Sequence, residues 1–262
     1  AGRIPTFEET LAFLDNDDSA KLPDLVDRLL DSPAHDSSTF NWRADLLRLQ
    51  TRQRGGNDVG AGEAYIHWVK DAIRQNLPFD EMAQRLITAE GYPWEDGAVG
   101  YYLRDAGMPL DNMSNTTQVF LGTQMVCAQC HNHPFEAITQ NDYYGLAAYF
   151  ARVKLKGRVF GLDREIVYVG RAGEVKHAES GEVMKPTAFG KVARDVTVGQ
   201  DVRPQLADWL VRSENRWFAR STVNRIWAHI FGLGIVEPVD DFRESNPPSN
   251  PELLNELARQ FV

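Results

Sequence analysis

Apolar residues recur at helical spacing along most of this chain, and that spacing breaks down at only a few places. Leu22, Leu25, Val26, Leu29 and Leu30 fall at i, i+3, i+4, i+7 and i+8, which puts them on one face of a helix. Phe79, Met82, Ala83, Leu86 and Ile87 repeat the pattern, and so do Leu253, Leu254, Leu257 and Phe261. A chain patterned this way buries helix against helix. Boundary residues agree with it. Thr6 and Glu9 have the spacing of a capping box, Ser32-Pro33 stops the second helix, and Asn250-Pro251 supplies an N-cap with proline at the first helical position. Residues 40–53 and 62–75 read as further helices separated by Gly55-Gly56-Asn57. Ser114 or Asn115 is expected to cap a helix carrying Val119, Phe120 and Thr123. Thr139 and Asp142 flank the start of another, through Tyr144, Leu146 and Phe150. Leu206, Trp209 and Leu210, then Val223, Ile226, Trp227 and Ile230, continue the pattern until Gly232 and Gly234 end it.

Two stretches depart from helical spacing. Residues 91–113 hold Gly91, Pro93, Gly97, Gly100, Gly107 and Pro109 among Tyr92, Trp94, Tyr101 and Tyr102. They read as a long aromatic loop, and long loops in compact domains usually carry function. Residues 152–200 hold Glu165-Ile166-Val167-Tyr168-Val169, with turn signals at Gly173 and Ser180-Gly181, and read as three or four short antiparallel strands. The expected fold is therefore mainly α with a small antiparallel β insert. A helical domain is expected over 1–151, a small β unit over 152–200, and the helical start of a second domain over 201–262. Trp209, Trp217, Phe218, Trp227 and Phe231 do not fit one stripe, so residues 203–262 are expected to lie buried between layers on the first helical unit.

Charge excludes whole classes of function. Against 28 Lys and Arg stand 37 Asp and Glu, a net charge of −9. A chain this acidic has no electrostatic reason to hold nucleic acid and no basic face for anionic lipid. Ten of the acids but only five of the bases lie in the first fifty residues. No apolar run approaches the roughly eighteen residues of a membrane span. The first residues carry no charged segment followed by an apolar one, so no signal peptide is expected within the chain. The closing Phe261-Val262 falls in a running helix, which reads as a piece of something longer.

The two cysteines sit together in Cys127-Ala128-Gln129-Cys130-His131. C-x-x-C-H is the spacing of c-type haem attachment. Two thiols on one turn each add to a haem vinyl group, and the next residue offers its imidazole to the iron. Cys127 and Cys130 are then the anchors and His131 the proximal ligand. Two other readings use the same residues: a thioredoxin-like redox pair, and a zinc site built from Cys127, Cys130 and His133 plus a distant ligand. For the sixth iron position, His229 between Trp227 and Phe231 competes with Met108 and Met113, with packing roles as the plainer alternative for each. His133 is too close to His131 to reach the opposite face without an unusual turn. Trp94, Tyr101, Tyr102 and Met108 are expected to wall the site. Glu237, Asp240 and Asp241 with Arg243 offer a carboxylate site, with caps and surface ion pairs as the favoured plainer reading. Arg220, Asn224 and Arg225, about one turn apart on one helix, are placed to bridge to those acids as a structural network. Nucleophile-elbow, zincin, P-loop and dinucleotide fingerprints are absent from the sequence.

Several segments together resemble the planctomycete cytochrome-like proteins, a family of large secreted bacterial proteins that join two domains of unknown function. They are Phe120-Leu121-Gly122, the run from Cys127 through Asn132-His133-Pro134-Phe135, Gln140, and Asp142-Tyr143-Tyr144-Gly145-Leu146. Arg3-Ile4-Pro5-Thr6 and the segment from Asp24 to Pro33 resemble the start of the first domain. Asn224-Arg225-Ile226-Trp227, Phe231-Gly232-Leu233-Gly234, Val239-Asp240-Asp241-Phe242 and the segment from Pro247 to Leu254 resemble the opening of the second. The resemblance implies a piece of a longer extracytoplasmic protein, periplasmic or secreted, with a haem-attachment-type motif, and it assigns no reaction. The function expected on these grounds is electron transfer through one covalent haem c, with a redox partner protein or larger assembly. A haem- or metal-dependent oxidoreductase acting on exported substrates such as sugars, and a structural or assembly subunit with a zinc-type Cys/His site, stay open as alternatives.

Overall fold

The Thr6 hydroxyl accepts from the Glu9 amide while the Glu9 carboxylate accepts from the Thr6 amide, and this reciprocal cap starts α1 (Phe7–Leu14). The structure is a computed structural model that describes residues 2–51, 59–134, 136–156, 165–189, 191–193 and 199–262. The expected break at Gly55-Gly56-Asn57, and Phe135, lie outside the described residues. α2 (Lys21–Leu30) ends at Ser32-Pro33 as read. The same two residues also start α3 (Pro33–Leu46), because the Ser32 hydroxyl caps His35 and Pro33 takes the first helical position. The third helix therefore begins seven residues before the expected residue 40. α4 (Val59–Arg74) and α5 (Phe79–Thr88) follow. α1 and α2 bury no residue, and Phe7, Leu14, Leu22 and Leu30 are exposed.

The segment 91–113 is not a loop throughout. It holds a short 3-10 turn over Gly97–Val99, α6 (Gly100–Leu103), and the first turns of α7 (Pro109–Leu121), which begins five residues before Ser114. The glycines had suggested a loop, but their role is contact. A β-carbon on Gly97 would collide with the Ala64 carbonyl, and one on Gly100 with the Tyr65 side chain. Their hydrogens let this turn press against α4. Tyr101 and Tyr102 are accordingly buried in the core.

α8 (Gln140–Ala147) starts from the expected Thr139–Asp142 capping box. The insert contains two antiparallel pairs. β1 (Val153–Lys156) pairs with β2 (Ile166–Val169), Val153 opposite Val169 and Lys156 opposite Ile166. β3 (Thr187–Ala188) pairs with β4 (Lys191–Val192). Val167 exchanges both backbone hydrogen bonds with Gly91, at 2.7 and 3.0 Å, so the first pair is tied to the helical unit. The fold is thus mainly α with a small antiparallel β insert, with eleven α-helices among the described residues.

α9 (Arg203–Val211) packs on α5, and α10 (Arg216–Phe231) on α7 and on α11 (Pro251–Phe261). One core runs through all these helices, from Tyr65, Met82 and Phe120 to Leu206 and Phe218. Phe79 stacks on Phe218 at 5.8 Å and meets Phe120 at 5.9 Å. Each fully buried side chain of this size contributes about 1.5–3 kcal/mol by leaving water. A second cluster, Val223, Ile235, Val236 and Leu254, joins α10 to α11. The far end of α10 departs from expectation. Trp227 is half-buried against Phe231, 4.2 Å away, while Ile230 and Phe231 face solvent. No described helix is long and apolar enough to cross a membrane.

Burial pushes the Tyr102 and Tyr149 hydroxyls up to about 12. Tyrosines in an unfolded chain ionise near ~10. Above that pH the unfolded state releases protons that the native state retains, so stability is fully present below about 10 and falls as pH rises toward about 12. Urea midpoints measured across this alkaline window should fall steadily, and a flat profile would contradict it.

Candidate functional site

α7 ends at Gly122, whose left-handed conformation lets its amide reach the Thr117 carbonyl. The chain then passes the buried Met125 into a 3-10 turn, Val126–Gln129. The Ala128 amide donates to the Met125 carbonyl at 2.9 Å and the Cys130 amide to the Cys127 carbonyl at 3.4 Å. The motif therefore follows the helix without continuing it. Cys127 and Cys130 are both exposed, and neither is in a disulfide. His131 is exposed as well, with Nδ1 2.7 Å from the Asn132 carbonyl oxygen. A carbonyl only accepts, so Nδ1 is the donor, and in the neutral tautomer that this selects Nε2 is the acceptor nitrogen.

The N-terminal half of α8 fastens this turn. The Tyr144 hydroxyl donates to the Gln129 carbonyl at 2.7 Å, and the Gln140 side-chain amide donates to the same oxygen at 3.4 Å. The Gln140 backbone amide donates to Asn132 Oδ1 at 2.9 Å, and the His133 amide to the Ile138 carbonyl at 2.8 Å. Ser114 on α7 donates to the Tyr143 hydroxyl at 3.3 Å. Burial pushes the Tyr143 and Tyr144 hydroxyls up, and the nearby Cys130 thiol adds to this. Both stay protonated at neutral pH. The His177 ring lies 5.4 Å from Tyr144, with Nδ1 accepting from the Glu179 and Ser180 amides. No local sequence signal marks His177, because only the folded insert brings it beside α8.

The other expected residues are scattered. Trp94 is exposed and stacks on Tyr92 at 4.4 Å. Tyr101 is a core residue whose hydroxyl lies 2.6 Å from that of Thr116, with the Arg104 guanidinium 4.6 Å over its ring. Tyr102 is buried with its hydroxyl on the Ile87 carbonyl. Met108 is exposed just before α7, and Met113 is fully buried. His133 is half-buried. His229 packs on Trp42 at 5.2 Å and lines a cavity of about 630 Å³ with Ser38, Asn41 and Asp45 of α3. Among the described residues, no hydrogen bond or ring contact joins Tyr101, Met108 or His229 to Cys127, Cys130 or His131. No three His, Cys, Asp or Glu side chains there form a group able to hold a metal ion.

Glu237, Asp240 and Asp241 are each engaged by neighbouring groups, Glu237 by the Gly234 amide, while Arg220 pairs with none of them among the described residues. Asp240 accepts from the Gln118 and Gln124 side chains at 2.6 and 3.2 Å and lies 3.9 Å from Arg225, which itself donates to the Gln118 carbonyl. Asn224 bonds both the amide and the carbonyl of Val236, and Asp241 pairs with Arg243 at 2.9 Å. Just past the motif, Glu136 accepts from the Ser245 hydroxyl at 2.6 Å and the Glu244 amide at 2.9 Å. This clamps the motif segment to the loop that follows α10.

No curated protein and no solved structure is similar enough to match the chain. Residues 202–262 match the family described as PSD1, protein of unknown function (DUF1553). Residues 1–155, more than half of the 262, match PSCyt2, protein of unknown function (DUF1549), and the chain belongs to that family.

Proposed function

We propose that the chain carries one covalent haem on Cys127 and Cys130, with His131 as the proximal ligand, and that it works in electron transfer outside the cytoplasm as a planctomycete cytochrome-like protein. The observation that carries this reading is the state of the motif: two solvent-open thiols on one turn, followed by an imidazole whose Nδ1 is committed to a carbonyl. Each sulfur would take one vinyl group and the iron would take His131 alone, so three ligands need not surround one ion. The bound group would supply one-electron chemistry. The residues of the chain do the holding. The Asn132 carbonyl, by accepting from Nδ1, orients the imidazole and would leave Nε2 for the iron. Tyr144 and Gln140 hold the turn through the Gln129 carbonyl. An exposed turn also suits approach by a redox partner protein.

The test is protein matured in an export-competent host, followed by intact-mass analysis and a pyridine haemochrome spectrum. The expected result is the mass of one haem and colour that stays with the protein in acid-acetone. The double variant Cys127→Ala/Cys130→Ala should lose both. Protein that gains no haem mass but holds one equivalent of zinc would sink the reading.

A further inference from the structure

Beside the motif segment, a cleft of about 510 Å³ opens between Ile138, Phe189, Trp217, Phe242 and Pro247. Its size is that of a small-molecule site. Its walls are largely apolar, but Arg216 and Arg220 enter it from α10, four residues apart and so on one face of the helix. Elsewhere in this region the arginines have acidic partners, although Arg225 and Arg243 also keep a buried Nε without a hydrogen bond. Arg243, in the same cleft, pairs with Asp241, and Arg225 lies by Asp240 and the Gln118 carbonyl. Arg216 and Arg220 are not matched: neither has an ion pair or hydrogen bond to an acid among the described residues. Arg216 is held with its guanidinium 5.0 Å over the Trp217 ring, and Trp217 stacks on Phe189 at 5.2 Å.

Arg220 is half-buried, and its Nε is fully buried with no hydrogen-bond partner. A buried donor left unsatisfied is costly and rare in native proteins. Burial, and then the like charge of Arg216, push the Arg220 guanidinium down. The acids lining the cleft do not relieve it. Glu136 is engaged by Ser245 and by the amides of residues 244 and 245, and Glu244 is exposed. Two like charges without an ion pair among the described residues, one of them with a buried Nε that has no hydrogen-bond partner, leave a deficit that an anion would fill at one end of the cleft.

We propose that this cleft binds a small organic anion, with its carboxylate or sulfate between Arg216 and Arg220 and its apolar body against Trp217, Phe189 and Phe242. Guanidinium groups favour planar or tetrahedral oxyanions because their donors form a fork that matches two oxygens. The site uses none of the residues that would hold haem, so it stands or falls separately from that reading.

The unaltered protein should be titrated with naphthalene-2-sulfonate, naphthalene-2-carboxylate and the neutral 2-naphthalenemethanol. The signal to follow is the Trp217 indole N–H resonance, assigned through Trp217→Phe. Both anions should shift it saturably, inorganic sulfate should compete, and the neutral probe should bind at least about tenfold more weakly. Comparison of the two anions shows whether the pair prefers a planar or a tetrahedral group. Arg220→Gln should weaken the anions at least about tenfold, while Cys127→Ala/Cys130→Ala should bind them unchanged. No saturable shift, or equal binding of the neutral probe, overturns the proposal even if the arginine variant fails to fold. Unchanged affinity in a folded Arg220→Gln protein overturns it as well.

Discussion

Replacing Arg203 with Met should cost about 3 kcal/mol of stability and should loosen residues 201–262 from the first helices. The Arg203 side chain is 1% exposed. Its guanidinium donates to the Ala89 carbonyl at 2.9 Å and the Thr88 carbonyl at 3.4 Å, and it pairs with Asp201 at 3.0 Å. It also lies 5.2 Å over the Tyr102 ring. One side chain thus ties the start of α9 to the end of α5 and to α6. Methionine fills much of the volume but leaves two carbonyls and a carboxylate without their donor. Removing one partner of a buried pair typically costs about 3–5 kcal/mol. Asp201 keeps 28% of its side-chain surface and can rehydrate, which places the cost at the lower end. Urea unfolding followed by far-UV circular dichroism measures it. A loss under about 1 kcal/mol, the scale of an exposed ion pair, would mean that the apolar contacts between α5 and α9 suffice to join the two parts.

The same arginine shows what local sequence signals miss. Arg203 follows Val202 and precedes Pro204, and nothing around it marks a buried charge. Its meaning depends on Ala89, more than a hundred residues away. Local signals did well where the physics is local. The capping boxes Thr6–Glu9 and Thr139–Asp142, and the Asn250 cap that accepts from the Leu253 amide, appear where the sequence places them, because a cap is closed by residues three positions apart. Gly97 and Gly100 misled for the opposite reason. Glycine marks both turns and close helix contacts, and only the position of α4 decides between them. The site divides the same way. Cys127, Cys130 and His131 can be singled out as candidates from the sequence because their spacing is a matter of adjacent residues. Tyr144, Gln140 and His177 are brought to the turn by tertiary structure, as are Arg216 and Arg220 to the cleft. Tyr101 looked like a wall of the site because it is aromatic and near the motif in sequence, but its place is the core.

The second large effect is expected at Gly122, where α7 hands the chain to the motif. Its φ of +63° costs a residue with a β-carbon about 1–2 kcal/mol. Packing adds to this. A β-carbon there would sit 2.7 Å from Phe242 Cδ2 and 2.8 Å from Ser221 Oγ. Neither neighbour yields easily. The Phe242 amide donates to the Gly122 carbonyl at 2.8 Å, and Ser221 is fully buried on α10. Overpacking of this kind adds about 1–3 kcal/mol, so Gly122→Ala should destabilise by about 2–5 kcal/mol. Gly232, which caps α10, separates the two contributions. It has φ +80° but nothing within 4 Å of its would-be β-carbon, so Gly232→Ala should carry only the conformational cost, about 1–2 kcal/mol. Denaturant midpoints of the two variants, at unchanged slope, give the comparison. Equal losses would show that Phe242 and Ser221 move aside freely. A larger loss at Gly122 means that the end of α7 is seated against α10 and the loop after it. The start of the Cys127–His131 segment is then set by the C-terminal part of the chain as well as by α8.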